Sequence, residues 1–186
     1  LKLFPAREHA LGSINRWVST FHGDGIRFDA TRALRFFDLM DWFNDQAKER
    51  VYFKPFFTIA EHMPEDPAIT GPDAPVDAAW HDTFMHRATA AVLANQGNGS
   101  NPFDTTGLLN AMDARNGGYL SNYNVVNYLN NHDLTRVFYK LGSDTGIFGD
   151  AAYRRAKLGA TLLLTAPGTP MLWMGEEFGQ STDRGD

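Results

Sequence analysis

Three acidic residues close short apolar runs in this chain. Asp29 follows Gly25-Ile26-Arg27-Phe28, Glu61 follows Phe57-Thr58-Ile59-Ala60, and Asp133 closes Asn130-Asn131-His132-Asp133. In an extended chain residues two apart share a face, so Arg27 stands beside Asp29. A guanidinium next to a carboxylate lowers its pKa and keeps it ionised. An ionised, oriented carboxylate is what a glycosidic nucleophile needs. On spacing alone a structural ion pair at a strand end is the better-supported use of the pair. Apolar neighbours around Glu61 favour its protonated form, which suits a proton donor near neutral pH, with His62 placed to tune it. A strand-end glutamate that merely reaches water has the same surroundings. The Asn-Asn-His-Asp run gathers groups able to hold hydroxyls and to steady positive charge, although Asn and Asp are also common turn formers.

The elements that must carry these residues alternate. Ile14, Trp17, Val18 and Phe21 have helical spacing, and Gly23-Asp24-Gly25 breaks the helix. Residues 26–30 read as a strand, and residues 31–50 return to helical spacing through Leu34, Phe37, Met40 and Phe43. Residues 56–60 form a second strand. A stretch with four prolines, residues 63–76, is irregular. Trp80, Phe84, Ala88, Ala91 and Val92 suggest a further helix, residues 95–106 a Gly/Asn-rich loop, and residues 125–129 a strand. Asp150 is placed to cap a helix through Tyr153, Ala156, Leu163 and Leu164. Residues 171–174 form a last strand. Alternating strands and helices imply a parallel sheet. Acids at carboxyl strand ends fit a TIM barrel, whose active sites lie on that face. A doubly wound sheet is the alternative, but no glycine-rich phosphate motif follows any strand.

Composition narrows the function classes. With 43% hydrophobic and 21% charged residues the chain is an ordinary globular one. A net charge of −5 argues against nucleic acid or an anionic membrane as partner. There is no Cys, which excludes disulfides and thiolate chemistry. Aromatics make up 13%, enough to fill a core or to stack on sugar rings; Trp80 and Trp173 are candidate platforms, with packing the commoner use of both. His81, Asp82 and His86 share one helix, but their spacing is poor for a metal. Asn98-Gly99-Ser100 matches a glycosylation sequon and is most simply a chance match.

The three acid-bearing segments, in this order, resemble conserved regions of the α-amylase family, glycoside hydrolase family 13. The segment 25–30 is similar to the region after the fourth barrel strand, 58–61 to that after the fifth, and 131–133 to the Asn-His-Asp region after the seventh. The tail Pro167-Gly168-Thr169-Pro170-Met171-Leu172-Trp173-Met174-Gly175-Glu176-Glu177-Phe178-Gly179 resembles the eighth strand and its loop. Arg32 stands where many amylases carry Lys followed by His. The resemblance implies an α/β fold: a partial TIM (β/α)8 barrel, roughly the fourth strand through the eighth, with residues 1–186 a fragment of one catalytic domain. Such a piece is expected to be inactive alone. Its three acids are expected to converge at one end of the sheet.

The resemblance also implies roles. Asp29 would be the nucleophile, Glu61 the general acid/base and Asp133 the stabiliser of the transition state. Arg27 would orient Asp29, and His132 would bind a sugar hydroxyl. The expected substrate is an α-glucan oligosaccharide or polysaccharide, handled with retention. Residues 174–180 are similar to branching enzymes and to trehalohydrolases, as is the segment 76–84, which leans the reading to 1,4-α-glucan branching. α-Amylase hydrolysis comes next, and a non-catalytic sugar-binding relative is the non-enzyme alternative. No cofactor is needed for the chemistry and no metal ligand is assigned; the family often uses structural calcium, whose usual ligands would lie largely in the preceding half. A branching enzyme would be cytoplasmic; the sequence itself sets no location.

Overall fold

The computed structural model describes residues 4–94 and 103–183. Its contacts gather into two compact units, Leu1–Trp80 and His81–Asp186.

The first unit holds α1 (Phe4–Ser19), β1 (Gly25–Phe28), α2 (Thr31–Leu34), α3 (Phe37–Arg50), β2 (Phe57–Ala60) and β3 (Ala78–Trp80). β1 and β2 run parallel, in register from Gly25 opposite Phe57 to Phe28 opposite Ala60. β2 and β3 are also parallel, with Ile59 opposite Ala78. α3 turns Met40, Phe43, Asn44 and Ala47 inward, the stripe a helix of 3.6 residues per turn makes. Met40 packs with Ala60, Ile69, Val76 and Ala79, and Ala47 packs with Val18, Val51 and Phe56. Gly25 lies so close to β2 that a Cβ there would collide with the Phe57 carbonyl.

The second unit holds α4 (Asp82–Leu93), α5 (Thr105–Met112), β4 (Val125–Tyr128), α6 (Val137–Ser143), α7 (Gly149–Thr165) and β5 (Thr169–Met171). All four residues of β4 are buried, as expected of a parallel strand covered on both faces. β4 and β5 pair in parallel, Val126 opposite Thr169. Phe84, Val92, Leu129, Leu141 and Leu163 form the centre of the apolar core here.

Several elements differ from the sequence expectation. Residues 31–50 are two helices, because Arg35 turns left-handed at φ 54 and ends α2. Trp80 lies in a strand: Ala78 and Ala79 are small enough to be buried against β2, and backbone pairing outweighs the helical spacing. α5 begins inside the expected loop, capped by the Asp104 carboxylate accepting from Gly107 N–H at 3.0 Å. Residues 95–102 and the sequon lie outside the described residues. Phe148, not Asp150, is the N-cap of α7, and Asp150 sits in its first turn. The last strand is Thr169–Met171, so it overlaps the expected 171–174 only at Met171. α6 was not expected at all. Phe21 lies beyond the end of α1.

Candidate active site

In the first unit the parallel register sets the ends of β1 and β2 side by side. Asp29 follows Phe28 directly and Glu61 follows Ala60 directly, and Phe28 and Ala60 are register partners. The ladder stops there and the chain turns sharply. Ala30 adopts φ 44, ψ 44, a left-handed conformation that costs a non-glycine residue roughly 1–2 kcal/mol. That turn presents the Ala30 N–H to the Glu61 carboxylate at 3.2 Å.

Arg27 joins the two acids. One terminal nitrogen donates to Asp29 Oδ1 at 2.8 Å, and the other donates to Glu61 Oε2 at 2.6 Å. The planar fork of a guanidinium suits this double contact, and such charge-assisted bonds are the strong ones. The guanidinium also lies 4.8 Å from the centre of the Trp80 ring, within cation–π range. The acids differ in access: the Asp29 side chain is 72% exposed and that of Glu61 only 17%. The strand-face argument from the sequence thus holds for Arg27 and Asp29, although Asp29 lies one residue past the strand. His62 is buried, 5.8 Å from the Phe37 ring. Burial lowers its pKa, with Asp66 acting against the shift and Arg32 with it, so His62 is neutral at pH 7.

In the second unit the run 130–133 leaves the end of β4. Asn131 Oδ1 accepts from Asp133 N–H at 2.9 Å, an Asx turn. Asp133 lies 3.5 Å from His132 Nε2, and both side chains are substantially exposed, Asp133 at 64%. The His132 ring is 6.0 Å from that of Trp173. Beneath this turn the bonding is denser. Asn130 donates to Glu176 and accepts from Val137 N–H at 2.8 Å. Glu176 also accepts from Trp173 N–H at 2.7 Å. Arg136 is buried, donates to the Met174 carbonyl at 2.8 Å and lies 5.7 Å from the Trp173 ring. Burial raises the Glu176 pKa. The bonds from Trp173 N–H and Asn130 and the charge of Arg136 counter this, and Glu177 adds to it.

The structure therefore brings Arg27, Asp29 and Glu61 together in one unit, and sets His132 and Asp133 side by side in the other. The residues missed by sequence reasoning are the supports: Thr31, Arg136, and Glu176, which is visible in the sequence only as part of the tail motif; Trp80, a candidate sugar platform in the sequence, lies against Arg27. His81 caps α4 and bonds through Nδ1 to Asn127 at 2.8 Å, while His86 pairs with Asp82 at 3.2 Å. Among the described residues no three His, Asp or Glu side chains are grouped to hold a metal ion.

Residues 6–184 match the family described as the alpha amylase catalytic domain. This chain belongs to the alpha-amylase family. It is 27% identical to the alpha-amylase MalA of Haloarcula japonica over 98% of this chain and 24% of that protein. It is 24% identical to the malto-oligosyltrehalose trehalohydrolase of Saccharolobus solfataricus, over 94% of this chain and 34% of that one. An Anoxybacillus alpha-amylase superposes with a TM-score of 0.76 at 22% identity, covering 98% of this chain and 38% of that one. The alpha-amylase of Geobacillus thermoleovorans, solved with acarbose, gives 0.75 at 22% identity, covering 98% and 39%. The fold is accordingly part of a TIM barrel. The chain spans between a quarter and two fifths of the relatives it matches.

Proposed function

We propose that the protein carrying this chain is a retaining glycosidase acting on α-1,4-glucans. The observation that carries this reading is the Arg27 fork, which binds Asp29 and Glu61 through two nitrogens of one guanidinium. Retention needs two carboxyls about 5–5.5 Å apart across one glycosidic bond. A cation bonded to both acids offsets the repulsion between them and lets them sit at short range. Asp29 attacks the anomeric carbon while Glu61 gives its proton to the departing oxygen, leaving a glycosyl ester on Asp29. Glu61 then takes a proton from water, whose oxygen attacks the anomeric carbon and frees Asp29. Asp133 holds hydroxyls of the distorted sugar and stabilises positive charge, and His132 binds a hydroxyl beside it.

Hydrolysis is the finer reading favoured by the relatives, which are named as an alpha-amylase and trehalohydrolases. Branching, expected from the run 174–180, is the second reading. In it a glucan 6-hydroxyl replaces water in the second step. No cofactor enters either scheme. Among the described residues no helix is long and apolar enough to cross a membrane.

Amylose separates the readings. Hydrolysis raises reducing ends in step with the loss of iodine colour. Branching loses colour with almost no new reducing ends, and a debranching enzyme then releases short chains. Asp29→Asn should abolish either activity, and survival of activity in that variant removes the catalytic assignment.

A further inference from the structure

The paired ladder of β1 and β2 ends at Phe28 and Ala60, one residue before each acid. What holds the chain beyond that point is Thr31, the first residue of α2, which is fully buried. Its backbone N–H donates to the Glu61 carbonyl at 2.9 Å, and its hydroxyl oxygen lies 2.9 Å from that same carbonyl. The hydroxyl also lies 2.9 Å from Nδ1 of His62. In the other direction Glu61 N–H donates to the Phe28 carbonyl at 2.9 Å.

A hydroxyl has one proton, and the Glu61 carbonyl can only accept. Two oxygens 2.9 Å apart with no proton between them would repel. The Thr31 proton therefore goes to the Glu61 carbonyl, and the hydroxyl lone pair takes a proton from Nδ1 of His62. That makes His62 the Nδ1–H tautomer. The relay runs from His62 through Thr31 to the main chain of Glu61, and it is enclosed, since His62 is only 4% exposed. A buried hydrogen bond of this kind is expensive to leave unmade.

We propose that the Thr31 hydroxyl is a positioning device for proton transfer: with His62 it fixes the Glu61 main chain against the segment 28–31, and so sets the place of the acid relative to Asp29. Thr31 does not touch the reacting atoms. It acts through the backbone from which the Glu61 side chain extends. The proposal rests on the reading of Glu61 as acid/base and Asp29 as nucleophile.

The test uses the whole protein that carries this chain, with Thr31→Val, which keeps shape and loses the hydroxyl, and Thr31→Ser, which keeps it. Each is assayed on amylose and on α-maltosyl fluoride, whose leaving group needs little help from an acid. Thr31→Val should lower kcat on amylose about tenfold to a hundredfold, the scale of a small misplacement of a catalytic group, with KM little changed. On the fluoride kcat/KM, which reports the first step alone, should fall much less than kcat/KM on amylose, and Thr31→Ser should stay close to the parent on both. Equal losses on the two substrates, or full activity of Thr31→Val on amylose, overturn the proposal. Nitrogen-15 NMR of His62 in the unsubstituted protein tests it without any variant: an Nδ1–H imidazole is expected, and an Nε2–H imidazole overturns it. If Asp29→Asn stays active, the reading of the site has failed; if that variant is dead and Thr31→Val is unimpaired, the positioning role alone has failed.

Discussion

The two acid-bearing regions are built on opposite electrostatic plans. Around Asp29 and Glu61 the central group is a cation, and the charges lie at or near the surface: Arg27 meets one exposed acid and one mostly covered acid. Around Asp133 the central group is an anion. Glu176 is half-buried, gathers an amide and a backbone N–H, and sits under a turn whose own acid points outward. A shared guanidinium holds two carboxyl groups together near the surface, an arrangement open to chemistry. A half-buried carboxyl group that receives neutral donors ties two chain segments together, here the start of the 130–133 turn and the loop after β5. The lesson is that an acid with a perturbed pKa need not be the reacting one. Glu176 carries a raised pKa, yet its bonds are all spent on structure.

The largest expected effect breaks the cationic centre. Arg27→Lys keeps a positive charge but has one nitrogen, which cannot bond both acids in the fork geometry. Activity on amylose should fall by about two orders of magnitude or more, the scale reached when a catalytic group is misplaced by an ångström. Thermal stability should change little, because partly exposed ion pairs contribute about 0–1 kcal/mol. Measuring kcat/KM and Tm on the same preparation checks this. A variant that keeps its activity would show that the fork is structural only.

A middle-sized effect is expected from the anionic centre, in the reverse balance. Glu176→Gln puts an NH2 donor where the carboxylate now accepts from Asn130 and from Trp173 N–H. One donor must lose its partner, at about 1–3 kcal/mol. The pH dependence has a definite sign. The folded pKa of Glu176 is raised, so the folded state binds its proton more tightly than the unfolded state does. That contribution to stability is full below the unfolded value near 4.5 and is lost as pH rises through the folded value. The parent should therefore gain stability relative to Glu176→Gln as pH is lowered from 7 toward 4.5. Denaturant titrations at several pH values read this directly, and a flat or opposite difference breaks the account of the anionic centre.

The cationic centre was legible in the sequence and the anionic one was not, for a physical reason. Arg27 and Asp29 are two residues apart, so strand geometry alone predicts their contact. Glu61 could be placed at a strand end from the apolar run before it. The partners of Glu176 are 46 residues away at Asn130 and close by in a turn at Trp173, and no periodicity connects them. The same limit hid β3: a three-residue strand of Ala78, Ala79 and Trp80 carries no alternation and is specified by what it pairs with. Helices α2 and α3 were merged because left-handed Arg35 has no sequence signature, unlike a glycine at the same place.

The smallest expected effect compares one backbone feature in both regions. Ala30 and Ala94 are both left-handed, at φ 44 and φ 51. Ala94 is the C-cap of α4, where this conformation is a common way to end a helix and glycine is the favoured residue. Ala30 sits between Asp29 and Thr31 and turns its N–H onto the Glu61 carboxylate. Glycine removes a strain of roughly 1–2 kcal/mol but costs about 0.5–1 kcal/mol in extra freedom of the unfolded chain. Both Ala30→Gly and Ala94→Gly should therefore gain up to about 1 kcal/mol by denaturant unfolding. Their activities should diverge. Ala94→Gly leaves its helix end in the conformation it already has, so kcat should stay at the parental value. Ala30→Gly loosens the turn that orients the Glu61 carboxylate, so kcat should drop several-fold while stability holds or rises. Strain kept at a site because it fixes geometry predicts that trade. Parallel gains in stability with no loss of activity in Ala30→Gly would mean that the turn beside Asp29 is only a bend in the chain.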